Sequence, residues 1–293
     1  MQHMFIINSK AGSYNKNRII EKEIASICQS HRLTYRIITS KHPALLTEEV
    51  KYFSKELKDN LTIYSVGGDG TLNNILNAMD LSSVLSVIPL GTGNDSYRTF
   101  GDSSKSLKDL ITQGEYFQSD IGLVGNQRFL NISSVGFCAE TNETVEQRKS
   151  ISYLPNHLRY PLGAIEKIFT YTNKNITING ISGIQALTIP LTLIAICNGN
   201  YYGHGFHIAK DAKYNDGMFD IVTAQNLTKT ETLAFFLRLN SSHPFESKKI
   251  KHFQSSTITL ESDTEFTCNI DGETVHNKKL EFSLQPKALT LKR

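Results

Sequence analysis

The sequence predicts an α/β protein with two domains, a doubly wound N-terminal domain and a β-rich C-terminal domain. Over residues 1–113, short apolar runs alternate with segments whose apolar residues recur at helical spacing, the pattern of parallel βαβ units. From about Asp120 the pattern changes to β-like runs separated by turns. The length of 293 residues is enough for one or two domains with sizeable cores.

In the first domain the apolar pattern predicts four strands and three helices. The strands are MFIIN (4–8), TYRIIT (34–39), LTIYSV (61–66) and VLSVIPL (84–90). The helices cover 15–31, with apolar residues at 20, 24 and 27, then about 46–57 and 72–79. Strands that alternate with helices of this length form a doubly wound parallel sheet.

In the second domain, helical patterns recur only near residues 140–149, 158–171 and 228–239. The run LTIPLTLIAIC (Leu187–Cys197) is the longest apolar stretch, but it is about half the ~20 residues of a membrane-spanning helix. Because it is rich in β-branched residues and contains proline, it indicates a buried strand. We expect domain boundaries at 1–120 and 121–285, with residues 286–293 returning to the first domain.

Composition limits the class of partner. A net charge of +3 is too small to indicate nucleic-acid binding but is compatible with an anionic membrane surface. Four widely spaced cysteines, without a C-x-x-C pair, predict reduced core residues. The start MQHMFIIN has no signal-peptide pattern, so we expect a cytoplasmic protein.

Two glycine-rich loops follow predicted strands, where open α/β sheets bind ligands. The first is GGDGT (Gly67–Thr71), which a helix follows at once. Glycine allows close backbone approach, and a helix N-terminus attracts anions. A carboxylate there suits a phosphate site only if Mg²⁺ lies between Asp69 and the phosphate. The alternative is a strand-to-helix turn in which Asp69 merely caps.

The second loop, GTGND (Gly91–Asp95), ends the fourth predicted strand. Neither loop is a Walker A or G-x-G-x-x-G motif. Because the carboxyl ends of neighbouring parallel strands meet at one sheet edge, the two loops together predict a single anion-binding crevice.

GGDGT followed by P-x-G-T-x-N-D resembles the diacylglycerol kinase catalytic superfamily. FIINSKAG (Phe5–Gly12) is similar to the family's opening N-P-x-S-G loop, with Ser9 in place of proline. NISSVGFCAE (131–140), the segment 195–222 and NIDGE (269–273) match later family segments in the expected order. The resemblance covers nearly the whole chain.

This resemblance implies a Rossmann-like, NAD-kinase-like nucleotide-binding domain, a sandwich-like lipid-binding domain and a catalytic cleft between them. It also implies that ATP binds the first domain and that Asp69 joins a Mg²⁺–water network at the phosphates. Whether Thr39 or the adjacent Ser40 contacts the nucleotide stays open. The nucleotide-site residues implied are Asn8, Thr39, Gly67, Gly68, Asp69, Gly70, Thr71, Thr92, Asn94 and Asp95.

The resemblance also implies a structural Mg²⁺ in the second domain. Its ligands would be the Asp216 side chain and the backbone carbonyls of Lys213 and Met218, oxygen donors that suit a hard cation. The alternative is that Asn-Asp-Gly at 215–217 is only a hairpin turn.

By the same resemblance, Glu273 in the D-G-E motif is the general base, and Asp271 orients it or joins the metal network. Two residues apart on a strand the two carboxylates would share a face, but Gly272 makes a hairpin turn with an exposed Glu273 an equal alternative.

Two further features favour simpler interpretations. His204 and His207 are a weak metal signature, and we interpret them as part of a lipid-side or surface loop. The run KKIKH (248–252) favours an exposed strand edge over a membrane patch.

The sequence therefore predicts an ATP- and Mg²⁺-dependent kinase that phosphorylates a membrane lipid, first of all diacylglycerol. We expect a peripheral enzyme at the cytoplasmic surface of the inner membrane, with a homodimer as one option and no nucleic-acid partner. Alternative acceptors are phosphatidylglycerol, an undecaprenol-like alcohol and a sphingoid base. NAD kinases and phosphofructokinases carry similar GGDG loops, but the GTGND, NGNYYG and DGE elements together favour the lipid kinases over enzymes with those soluble substrates. From another class, a non-catalytic nucleotide- or lipid-binding regulator remains an alternative.

Overall fold

A computed structural model describes residues 1–9, 14–91, 93–147, 156–181, 186–203, 205–239, 241 and 245–293. Thr92 and His204, both named by the sequence analysis, lie outside these residues, as do residues 10–12 of the opening loop. The chain divides into two compact units: Met1–Ile121 with Pro286–Arg293, and Gly122–Gln285.

The first unit is a doubly wound parallel sheet, as predicted. Its strands are β1 (Gln2–Asn8), β2 (Tyr35–Ser40), β3 (Leu61–Gly67) and β4 (Val84–Pro89). Its helices are α1 (Tyr14–Ser30), α2 (Pro43–Leu57), α3 (Asp69–Ala78), α4 (Asp95–Phe100) and α5 (Leu107–Gln113), with a 3₁₀ turn at Lys58–Asn60. The parallel order is β4-β3-β1-β2. The strand β5 (Tyr116–Val124) begins in this unit.

Apolar strands and helix faces build the core of this unit. Tyr64 of β3 stacks on Phe5 of β1 with ring centroids 4.4 Å apart, and Ile24 of α1 is fully buried beside them. The Tyr64 hydroxyl is bonded to His3 Nδ1 at 3.0 Å and accepts from Lys292 Nζ at 3.1 Å. Burial lowers the pKa of Lys292 to about 8 because the charged amine loses its hydration.

The second unit is antiparallel and carries helices on one face. Its strands are β6 (Gln127–Phe129), β7 (Ile132–Gly136), β8 (Lys174–Asn179), β9 (Leu187–Cys197), β10 (Tyr201–Tyr202), β11 (Phe206–His207), β12 (Phe219–Gln225), β13 (Ile250–Ser255), β14 (Thr257–Ile270) and β15 (Glu273–Lys292). Its helices are α6 (Phe137–Gln147), α7 (Asn156–Thr170) and α8 (Lys229–Arg238). The path β13-β12-β9-β7-β14-β15 runs antiparallel, and β8 pairs with both β9 and β14.

Strand β9 confirms the prediction of a buried strand and shows why the run is apolar throughout. Ile194 and Ile196 point into a core shared with β14 and β15. Leu193, Ala195 and Cys197 point into a second core formed with the helices. Because alternate side chains face opposite sides of a strand, a strand buried on both faces needs an unbroken apolar sequence.

Strand β15 carries the chain from the second unit back to the first. It pairs with β14 in the second unit, and its end pairs in parallel with β4, with Leu291 opposite Leu85. Ser86 Oγ donates to the carbonyl of Lys292 at 2.9 Å. The first sheet is therefore completed by residues from the far end of the sequence.

The predicted state of the cysteines is also confirmed. All four cysteines, Cys28, Cys138, Cys197 and Cys268, are buried and free. Among the residues that the structure describes, no helix has the length and hydropathy required to span a bilayer.

Candidate active site

The first glycine loop lies at the point where the sheet order reverses. Strands β1 and β3 are neighbours, although the chain passes through β2 at the sheet edge between them. Connections leave such a switch point in opposite directions and open a crevice for ligands. Asn8 ends β1, and its Nδ2 donates to Thr71 Oγ1 at 3.0 Å. The side chains of two predicted nucleotide-site residues are thus joined across this crevice.

Close packing requires glycine in this loop. A Cβ on Gly67 would lie 2.7 Å from Thr71 Oγ1, a distance that forces one group to move. Gly68 is the N-cap of α3, and the N–H of Thr71 donates to its carbonyl at 3.0 Å. Helix α3 begins at Asp69, so its unpaired N–H groups and positive dipole end face the ligand side of the loop.

The second loop packs directly on the first. The N–H of Leu90 donates to the carbonyl of Gly67 at 2.9 Å. A Cβ on Gly91 would lie 2.8 Å from the Cα of Gly68. The two loops therefore touch through bare backbone, which only glycine permits at this separation. This supports the expectation of one continuous crevice within the first unit.

The Asp69 carboxylate holds the second loop in place. Oδ2 accepts the N–H of Asp95 at 3.1 Å, and Oδ1 accepts the N–H of Ser96 at 2.9 Å. Asp69 thus caps α4, a helix distant in sequence, rather than its own helix. Each carboxylate oxygen can accept a further bond, so this contact leaves room for the predicted Mg²⁺–water network.

Two other expected nucleotide residues have defined local roles. Asn94 is left-handed (φ 49°), and its Nδ2 donates to the carbonyl of Gly91 at 2.7 Å, which closes the turn before α4. Ser40 Oγ accepts the N–H of His42 at 3.0 Å. Thr39 beside it is exposed. Of the pair left open by the sequence, Ser40 is engaged in a local turn and Thr39 faces solvent.

The D-G-E motif forms a two-residue hairpin turn between β14 and β15. Ile270 pairs with Glu273, and Asp271 and Gly272 both have positive φ (46° and 98°), the signature of a type I′ turn. The option in which Asp271 and Glu273 share one strand face is therefore wrong, because Asp271 lies in the turn itself.

Asp271 anchors this turn to the chain between β6 and β7. Its Oδ2 accepts the N–H of Leu130 at 2.6 Å, and its Oδ1 accepts the N–H of Ile132 at 2.8 Å. The N–H of Asn131 lies 3.1–3.2 Å from both oxygens. Because its carboxylate accepts hydrogen bonds from three backbone N–H groups, Asp271 has a structural role: it positions the turn next to Glu273.

Glu273 is exposed, as one alternative anticipated. Its Oε2 accepts a hydrogen bond from Gln127 Nε2 at 2.8 Å. Gln127 was not predicted, because no local pattern links it to a residue 146 positions away. Nor was Asp120, a fully buried carboxylate that accepts the N–H of Lys287 at 2.7 Å. The signal that could have identified Asp120 is a carboxylate directly before the apolar end of β5, where Ile121, Leu123 and Val124 follow it.

The Asn-Asp-Gly segment precedes β12 and is not a turn between paired strands, so the hairpin alternative for 215–217 is wrong. Asp216 Oδ1 accepts the N–H of Met218 at 3.1 Å, and Gly217 has φ 80°. Burial, with Asp216 and Asp211 nearby, raises the pKa of Asp220. Within the described ranges, no cluster of at least three His, Cys, Asp or Glu side chains suits a metal.

Two simpler interpretations can be compared with the structure. His207 stacks on the Tyr201 ring at 4.5 Å in a short β10–β11 hairpin, and burial lowers its pKa. The run 248–252 enters β13, the edge strand of the second unit. Its Lys249 pairs with Glu231 at 2.7 Å, and Lys251 is exposed, so the run lies on an exposed strand edge.

Comparisons with known proteins agree with the two-domain fold. Residues 2–124 match the diacylglycerol kinase catalytic domain, and residues 131–293 match the YegS C-terminal NAD kinase beta sandwich-like domain. The crystal structure of a diacylglycerol kinase from Bacillus anthracis has a TM-score of 0.72 at 22% identity and covers 99% of this chain and 96% of that one. At that identity the similarity supports the fold alone.

Two relatives extend over most of the chain. A Shewanella frigidimarina protein named "Probable lipid kinase YegS-like" is 28% identical over 82% of this chain and 79% of its own length. A diacylglycerol kinase of Bacillus subtilis is 27% identical over 87% of this chain and 85% of its own length. The chain therefore belongs to the family of kinases that joins a diacylglycerol kinase catalytic domain to a YegS C-terminal NAD kinase beta sandwich-like domain.

Proposed function

We propose that this kinase transfers the γ-phosphoryl group of ATP, with Mg²⁺, to the hydroxyl of diacylglycerol and so produces phosphatidic acid. The relatives named as diacylglycerol kinase and lipid kinase support a lipid acceptor. The observation that carries the proposal is the backbone contact of the two glycine loops at the switch point of the first sheet.

That contact favours polyphosphate binding for a physical reason. The loops leave backbone N–H groups and the N-terminus of α3 without bulky side chains in front of them, the arrangement that attracts phosphate oxygens. Asn8 and Thr71 are joined across the crevice and supply polar side chains for the nucleotide. We assign the remaining expected contacts, Thr39, Thr92, Asn94 and Asp95, to the same nucleotide.

In the proposed reaction Glu273 is the general base. The substrate hydroxyl loses its proton to the Glu273 carboxylate while its oxygen attacks the γ-phosphorus. The bond from that phosphorus to the β–γ bridging oxygen breaks, and ADP leaves. Gln127 directs one carboxylate oxygen, and Asp271 fixes the turn. Phosphoryl transfer depends mainly on positioning and charge neutralisation, so we expect the base to contribute about 10²–10⁴ in rate.

The residues fit Mg²⁺ in two places. Asp69 keeps acceptor capacity beside the phosphate loops, where a bound ion would neutralise phosphate charge. In the second unit, Asp220 Oδ2 is buried without a hydrogen-bond partner. Burial, with a smaller contribution from the nearby Asp216 and Asp211 carboxylates, raises the pKa of Asp220, and a hard cation would compensate such a concentration of negative charge. Asp216 with the carbonyls of Lys213 and Met218 would hold a structural ion there.

The test is phosphate transfer from labelled ATP to a panel of lipids in mixed micelles, with and without Mg²⁺. The panel contains diacylglycerol, phosphatidylglycerol, an undecaprenol-like alcohol and a sphingoid base. We expect Mg²⁺-dependent labelling of diacylglycerol and its loss in Glu273→Gln. Glu281→Gln is the matched control, since Glu281 is an exposed glutamate on the same strand, paired with Lys279. Labelling of another lipid would reassign the acceptor, and ATP binding without any labelled lipid would refute the kinase proposal.

A further inference from the structure

Large apolar side chains protrude from two neighbouring helices of the second unit. Half of the exposed large hydrophobic residues among those that the structure describes lie on α7 and α8. They are Leu162 (45% exposed), Ile165 (48%), Phe169 (66%), Leu233 (41%) and Leu237 (73%). Single exposed apolar residues need no explanation, but a group confined to two adjacent helices does.

The spacing places each set on one helix face. Leu162, Ile165 and Phe169 are three and four residues apart on α7, and Leu233 and Leu237 are four apart on α8. Residues at these spacings are neighbours on a helix surface. The opposite faces carry buried residues such as Ala164 and Phe235, which lie in the core of the unit. Both helices are thus apolar on two sides, and the core covers only one of them.

The two exposed faces run side by side. Lys229, at the start of α8, donates to the carbonyl of Phe169, at the end of α7, at 3.0 Å, and its Nζ lies 5.8 Å from that ring. At the other end, the Phe206 ring contacts both Tyr160 of α7, in a tilted arrangement at 5.8 Å, and Phe236 of α8, edge-on at 6.1 Å. The helices are therefore antiparallel, and their five exposed residues form one surface, which we call the α7–α8 face.

Basic side chains border this face at both ends. Lys229 lies at the Phe169 end, and Arg238, exposed, follows Leu237 in the last turn of α8. This composition is typical of helices that lie in a membrane interface, in which leucine, isoleucine and phenylalanine are flanked by lysine and arginine. Lys229 and Arg238 complement the negative surface potential of an anionic bilayer, where each basic side chain near the surface contributes about 1 kcal/mol.

We propose that the α7–α8 face is the membrane-docking surface of this kinase. Its five apolar side chains enter the headgroup–acyl boundary of an anionic bilayer, while Lys229 and Arg238 contact the headgroups. The inference rests on the proposed function, because a lipid acceptor lies in a bilayer. It goes further in assigning a defined surface to that contact.

The test measures partitioning onto vesicles of phosphatidylcholine and phosphatidylglycerol in equimolar amounts, by sedimentation without ATP. In the variant Phe169→Ser/Leu237→Ser, we expect the partition coefficient to fall about tenfold for each lost side chain. Lys229→Gln should lower it about fivefold on these vesicles and leave it unchanged on pure phosphatidylcholine. The control is Ile19→Ser/Tyr52→Ser, which removes equally exposed residues (65% and 61%) from the first unit and should bind as the parent does.

Each outcome bears on the proposal separately from the kinase assay. Equal partitioning of the Phe169/Leu237 variant and the parent, or no partitioning of the parent, would overturn it. A dimer in light scattering that the same variant converts to monomer, with vesicle binding retained, would also overturn it in favour of a second copy of the chain. Binding does not need ATP, so Glu273→Gln should partition normally. Docking without any lipid phosphorylation would refute the proposed function and leave this surface assignment standing.

Discussion

Asp271 offers the sharpest test of the difference between a catalytic and a positioning carboxylate. In the structure it accepts backbone N–H groups from Leu130, Asn131 and Ile132, all of them buried residues. Replacement by alanine removes the acceptor and leaves these donors unsatisfied. Replacement of exposed Glu273 by glutamine removes no such support.

The magnitude follows from the number of donors. A buried polar group that loses its partner costs about 1–3 kcal/mol, so three donors, partly rehydrated by entering water, give a loss of about 3–6 kcal/mol in Asp271→Ala. In Asp271→Asn the amide oxygen keeps part of this network, and we expect about 1–3 kcal/mol. Asp271 has φ 46°, so Asp271→Gly should be less destabilised than Asp271→Ala by about 1 kcal/mol.

The assay is urea unfolding of the purified variants, with kcat and KM measured at a temperature where all are folded. Glu273→Gln should unfold within about 0.5 kcal/mol of the parent while kcat collapses. The reasoning is refuted if Asp271→Ala is destabilised by less than about 1 kcal/mol, the contribution of a single ordinary hydrogen bond, or if glycine and alanine at this position are equally stable.

The remaining predictions concern other elements. Gly91→Ala should weaken ATP binding at least about tenfold in calorimetry, because the new Cβ would lie 2.8 Å from the Cα of Gly68 in the first loop. Gly70→Ala should weaken ATP binding less, since a Cβ there meets open space. A larger effect of Gly70→Ala than of Gly91→Ala would contradict the loop contact. Burial lowers the pKa of Lys292 to about 8. Between about pH 8 and 10.5, Lys292 is therefore protonated in the unfolded chain but neutral in the folded chain. Because the unfolded state binds more protons in this window, the contribution of Lys292 to the free energy of unfolding rises with pH. The difference in unfolding free energy between the parent and Lys292→Met should therefore grow across that window by up to about 1.4 kcal/mol per pH unit, and a constant difference would show that the amine is not desolvated. Gln127→Leu should lower kcat about fivefold by removing one hydrogen bond to Glu273 with KM for lipid unchanged; a change confined to KM would indicate that Gln127 contacts substrate instead.

The sequence allowed the long elements to be predicted because their apolar patterns are regular. Helices α1, α2, α7 and α8 lie close to their predicted positions. Each spans at least two turns, so its apolar residues recur often enough at helical spacing to be recognised. Helices α4 and α5 are shorter and were not predicted. The capping box of Ser106 and Asp109 at the start of α5 is a local signal that would have revealed that helix.

The site was predictable only where its residues are close in sequence. The glycine loops could be recognised from their own residues, because the close packing at Gly67 and Gly91 requires glycine. The hydrogen-bond partners of the carboxylates could not be recognised in this way. Asp69 bonds residues 26 and 27 positions away, and Asp271 bonds residues about 140 positions away. Such contacts depend on tertiary packing, which no local spacing records, so the positioning role of Asp271 became clear only in the structure.

The return of β15 to the first sheet has a consequence for biosynthesis. Ser86 and Lys292 are 206 residues apart in sequence yet hydrogen-bonded, so the first sheet lacks its pairing with β15 until residue 292 has been synthesised. Closing so long a loop is slow, and an unpaired β4 edge invites association with other chains in the meantime. We expect the second unit to fold first and the first unit, although synthesised earlier, to be completed last. In a cell, chaperone dependence should therefore be concentrated on the half of the molecule that carries the phosphate loops.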